Sequence, residues 1–289
     1  MASIKKVKGI VYMEEQFDTS KLFIIDKPKQ NEENYIRPQQ SANVLFNFMR
    51  ELDYLKLILT NKAIIPRYYE ETVEYLELSN LKRFAFPMTC FCDINLQKLI
   101  PHVKFYGYYG IGLDKKWGIR KGVQPIQYIN KSSKLKEDFS HVFSIAIDKI
   151  SEENIELREF SNYLLTNLLF LKPLHGEMFR DKSYVQRNFH DEREWRFVPD
   201  MNRCSDLPLT VPQNQLNPKA YSSYSDGIKK YPELWLNFEY DVIKYLIVHD
   251  SHDRRELIKF ITENNKIDEI EKSILISKIL VFDEIEEDW

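Results

Sequence analysis

Between Phe189 and Pro199 the chain reads FHDEREWRFVP, with five charged residues in the six positions from Asp191 to Arg196, aromatics among and around them, and a closing proline. Charge buried without partners is costly, so these side chains have to meet solvent, opposite charges or a ligand. A helix here would be short, because Pro199 follows at once and the tail WRFV, aromatic and β-branched, favours a strand. Side chains alternate along a strand, which places Glu192, Glu194 and Arg196 on one face and Arg193, Trp195 and Phe197 on the other. The segment is therefore expected to be a strand. Either its charges are met by cross-strand ion pairs or it carries its acids into a cleft.

The rest of the chain has to supply the core around that strand. Its 289 residues are 43% hydrophobic and 13% aromatic, enough to bury a substantial interior. Lys and Arg number 41 against 44 Asp and Glu, a net charge of −3, so no global basic field marks a nucleic-acid binder. Of the three cysteines, Cys90 and Cys92 sit two positions apart in an apolar run, which is neither a disulfide framework nor zinc spacing. A reducing cytoplasm and no bound metal are expected. MASIKKVKGIVYMEEQF is too interrupted for a signal peptide, and no window reaches the roughly 18 apolar residues of a membrane span.

Residues 1–41 are expected to form an N-terminal strand and linker extension, polar and Pro-containing from 26 to 41, before a single α+β domain over 42–289. NVLFNFM reads as a strand. In ELDYLKLILTNKAIIP, Leu52, Leu55, Ile58 and Leu59 share a helical face and Pro66 closes the unit. FAFPMTCFCDI reads as a second strand, with Asp93 placed to cap a short helix through LQKLI. Asp138 to Leu171 predicts one or two helices over the sheet, and 199–236 predicts long loops. VIKYLIVHD predicts a strand, RRELIKFITENN a helix, and ILVFDEI a final strand.

Five of the eight glycines fall between Gly107 and Gly122. Such a concentration demands positive φ angles or close backbone approach, and the segment is the expected place for a ligand to meet main chain. The spacing matches neither G-x-G-x-x-G nor a phosphate loop. Its aromatics, Tyr108 and Tyr109 among them, either fill the core or stack on a ring. In IIPRYYEE, Arg67 beside Tyr68 either grips a phosphate or pairs with Glu70 or Glu71. Cys90 and Cys92 lie too deep in an apolar run to be reactive thiolates.

The succession LFNFMRELDYLKLILTNKAIIPRYYEE, FAFPMTCFCDI, GYYGIGLDKKWG, KPLHGEMFRD and DEREWRFVP resembles the bacterial AbiGi family of abortive phage-resistance proteins over about residues 43–200. That resemblance implies a role in phage defence, as the antitoxin half of a two-gene system with a cognate toxin for partner. More loosely, the order of elements is similar to that of DNA-modifying ADP-ribosyltransferase toxins. This second likeness implies a split β-sheet with flanking helices, an NAD cofactor, and a nucleic-acid or protein substrate. Asn47 stands where that family carries His, and Leu55, Ile58 and Leu59 match its first helix. The likeness then implies Glu194, seconded by Glu192, as the catalytic acid, and Asn47, Arg67, Tyr68, Tyr108, Tyr109 and Arg196 as residues holding NAD.

Overall fold

A computed structural model describes residues 35–78, 81–148, 155–180 and 183–287. The expected N-terminal strand lies outside them, and residues 35–41 carry neither helix nor strand. The first element is strand β1 (Val44–Met49). Its period-two pattern works on both faces: Leu45 and Met49 enter one apolar cluster, Val44 and Phe46 another. Helix α1 (Leu52–Asn61) buries Leu52, Leu55 and Leu59, with Ile58 packed alongside as its periodicity requires. Lys62, in the left-handed region at φ 48°, ends the helix and turns the chain into β2 (Ala63–Ile64) and β3 (Arg67–Thr72).

The long strand β4 (Arg83–Cys92) follows, then α2 (Ile100–Tyr106), β5 (Tyr109–Asp114), α3 (Lys115–Arg120), β6 (Gln124–Pro125) and β7 (Gln127–Ile129). Helices α4 (Lys134–Asp148) and α5 (Ile155–Leu169) precede β8 (Leu171–Pro173), β9 (His175–Arg180), β10 (Ser183–Asn188) and β11 (Glu194–Phe197). The remainder comprises β12 (Val211–Pro212), α6 (Pro218–Ile228), β13 (Leu236–Asn237), β14 (Ile243–Val248), α7 (Ser251–Glu263), α8 (Glu269–Ser277), β15 (Ile279–Val281) and α9 (Phe282–Glu287).

The main sheet runs β15-β14-β5-β1-β4-β11-β6, and its pairings are antiparallel except β14 with β15. Helices α1, α7 and α8 cover one face through Leu55, Leu59, Leu257, Ile261 and Leu275. Helices α2 and α9 cover the other through Val103 and Phe282. Strand β4 serves two sets of neighbours: its last residues pair with β11 and touch β1, while its first half pairs with β3 and β12. Against that first half lie Phe143, Leu165 and Leu168 from α4 and α5 and Ile228 from α6. The protein is thus a mixed α and β fold, as expected.

Local expectations change at four points. Asp93 caps no helix; its carboxylate takes an ion pair from buried Lys115 at 2.5 Å. The 199–236 region contains helix α6, begun by Pro218 and capped by Asn217, which accepts the Ala220 N–H. ILVFDEI is a three-residue strand followed by helix α9. FHDEREWRFVP is a strand only from Glu194 onward, because Asn188 accepts the His190 N–H and starts a 3-10 turn over Phe189–Glu192. Arg193, left-handed at φ 43°, then swings the chain into β11.

Candidate functional site

Strand β1 pairs with β5 along its whole length but meets β4 only at Phe46 opposite Cys92. Past that point the side chain of Asn47 spans the gap, its Nδ2 donating to the Cys90 carbonyl at 2.8 Å. A cleft of about 520 Å³ opens there, walled by β1, α1, β3 and β4 and closed below by residues from α2, β8 and the turn into β11. Glu192, Glu194, Asn47 and Arg67 all line it, so side chains from three separate stretches of sequence are brought to one place.

The floor is a closed ion network. Lys172 of β8 donates to Glu194 at 2.7 Å and to Glu192 at 3.2 Å. Arg196, wholly buried, takes the other Glu194 oxygen at 2.6 Å, Glu71 at 3.0 Å and the Leu169 carbonyl at 2.6 Å. The Tyr106 hydroxyl donates to the remaining Glu192 oxygen, and Arg187 lies 3.9 Å from it. Burial alone would raise the Glu194 pKa, but Arg196 and Lys172 outweigh it and hold the carboxyl well below the usual range. Burial likewise opposes the charge on Lys172, and Glu194, Glu71 and Glu192 together push its pKa up. Glu194 is therefore ionised at neutral pH, and every carboxylate oxygen of Glu192 and Glu194 is engaged.

The alternation expected for this stretch places Glu194 and Arg196 together on the buried side, and Trp195 and Phe197 pack against the core on the other. Arg196 stands behind Glu194 and does not line the cleft. Tyr68 is buried, with its hydroxyl donating to the Pro208 carbonyl, and also lies off the cleft. Tyr108 stacks on His249 at 4.1 Å, and Tyr109 donates to Asp253 at 2.9 Å. Both belong to the segment entering β5, which β1 separates from β4, so the cleft does not include them.

The glycine-rich segment serves the core. A Cβ at Gly110 would stand 2.6 Å from the Phe48 ring, and one at Gly112 2.8 Å from Phe46. Cys90 and Cys92 are inert, their thiols pushed up by burial. Groups able to hold a cation gather at the start of α7, around His249, Asp250 and Asp253. There Asp250 already caps the helix and Asp253 accepts from Tyr109.

Several cleft residues carried no motif. Lys172 is the most consequential, and its trace in sequence is a lone cation inside the apolar run LLFLKPL. His102, tilted against Tyr106 with ring centroids 4.4 Å apart, has its pKa pushed down to about 3 by burial and by the charge of Arg187. Thr89, only 3% exposed, has a hydroxyl with no hydrogen-bond partner among the described residues. Tyr54 and Tyr69 stand about half exposed on the cleft lining.

Among the described residues no helix is long and apolar enough to cross a membrane. A family model described as abortive phage resistance protein AbiGi, antitoxin, matches residues 61–249. The abortive phage resistance protein AbiGi of Lactococcus lactis subsp. cremoris is 39% identical over 249 residues, covering 78% of this chain and 100% of that relative. No solved structure matches the chain with significance.

Proposed function

The chain belongs to the AbiGi family of abortive phage-resistance proteins, and from that membership we propose that it serves phage defence as a non-catalytic antitoxin that binds a cognate toxin protein. The observation that carries this reading is the saturation of the acids. An acid that stabilises developing positive charge must keep negative charge available to the reacting atoms. Glu194 gives one oxygen to Lys172 and the other to Arg196, and Glu192 is engaged by Lys172 and Tyr106. A partner surface is also at hand. Leu135, Val142 and Ile145 on α4 and Phe160 and Tyr163 on α5, two helices that pack together, are large apolar side chains left exposed, the kind that protein partners cover.

Co-expression with the protein encoded alongside it tests the proposal. A complex should co-purify, should survive Glu194→Gln under conditions where the variant is folded, and should be lost in Phe160→Glu. Failure to co-purify with that neighbour sinks the reading.

NAD-dependent ADP-ribosyl transfer to a nucleic acid or protein is the second reading, favoured by the convergence of Asn47, Arg67, Glu192 and Glu194 on one cleft. Incubation with labelled NAD and cell extract decides it. Label transferred by the wild type and not by Glu194→Gln would put the enzyme first.

A further inference from the structure

We propose that the cleft between β1 and β4 is a binding site for a free nucleoside monophosphate, its base inside and its phosphate at the mouth. The inference is independent of the toxin partner and stands or falls separately from co-purification.

Size and wall chemistry come first. About 520 Å³ lies within the range of roughly 300–1,000 Å³ typical of small-molecule pockets. Phe48, Tyr54 and Tyr69 supply aromatic surface for a flat ring. Two polar side chains on the lining keep hydrogen-bonding capacity. The His102 imidazole, neutral near pH 7, makes no hydrogen bond among the described residues. Asn47 spends one N–H on Cys90 and, among the described residues, retains another N–H and its carbonyl. A base edge, which presents donors and acceptors together, answers such a set.

Charge then selects the kind of ring. Glu71, Glu192 and Glu194 are balanced by Lys172, Arg187 and Arg196, so the floor is electroneutral. An uncharged ring suits it, whereas a cationic ring such as nicotinamide would find no surplus negative charge. Along the lining, Lys229 is paired with Asp226 at 2.8 Å, while Arg67 makes no ion pair among the described residues. One unpaired guanidinium matches one phosphate.

Titration calorimetry on the full chain with AMP, GMP, CMP and UMP, their nucleosides, NAD and a short RNA tests the assignment. At least one monophosphate should bind with a Kd below about 1 mM. His102→Phe, which keeps a ring and removes its polar edge, should weaken it by about fivefold or more. His102→Gln, which keeps a polar edge, should retain binding and guards against a packing artefact. Arg67→Met should abolish the advantage of monophosphate over nucleoside. The proposal is overturned if no monophosphate binds at about 5 mM, if His102→Phe binds like wild type, if only RNA binds, or if NAD binds more tightly than every monophosphate and nicotinamide is released.

Discussion

Replacing Lys172 with Met should destabilise the protein by about 3–5 kcal/mol, because it leaves Glu192 and Glu194 buried beside too little positive charge. Chemical denaturation measures the loss. Adding Glu194→Gln to Lys172→Met should cost less than the two single losses added together, since the partners share one network. His102 makes the pH response. Its pKa is about 3 in the folded chain against an ordinary 6.5, so the unfolded chain takes up the proton first as pH falls. Stability on this account is complete above about pH 6.5 and is lost toward pH 3, with a slope of up to about 1.4 kcal/mol per pH unit. Glu194 adds a second loss below its ordinary value of 4.5, as a carboxyl whose folded pKa is depressed. His102→Phe, placed between the rings of Phe48 and Tyr106, should flatten the upper part of the Tm-against-pH curve and leave the lower part.

At the scale of elements, β1 and β5 are fitted to each other by omission of side chains. Gly110 and Gly112 lie against Phe48 and Phe46 across the strand pair, so Gly112→Ala drives a methyl into a packed ring. A loss of about 1–3 kcal/mol is expected. Gly107→Ala should be worse, because its φ is 138° and the new Cβ would stand 2.2 Å from the Met49 carbonyl oxygen. Thermal unfolding of the two variants should rank them in that order. The glycine cluster was legible in the sequence as a demand for close approach. What approached was not, since the partner rings lie on a strand about 60 residues earlier. The 3-10 turn before β11 was hidden for a similar reason: alternation describes a strand but says nothing of where pairing begins, and here Cys92 of β4 meets Glu194.

For the whole molecule, β4 is the shared element. It belongs to the core of α1, α7 and α8 through Phe91 and to the core of α4, α5 and α6 through Phe84 and Phe86. The two cores should therefore unfold together. Single-tryptophan variants keeping Trp117 in the first or Trp235 beside the second should give coincident denaturant midpoints, and separated midpoints would contradict the coupling. Local pattern was enough to place β1, α1, β4, β14 and α7, because each buries a stripe or face whose period is written in consecutive residues. It also showed that Glu194 and Arg196 share a face. The cleft was decided by tertiary structure alone. Lys172, His102, Thr89 and Asn47 come from four separate elements, and whether a carboxylate is free or neutralised depends on which cation the fold sets beside it.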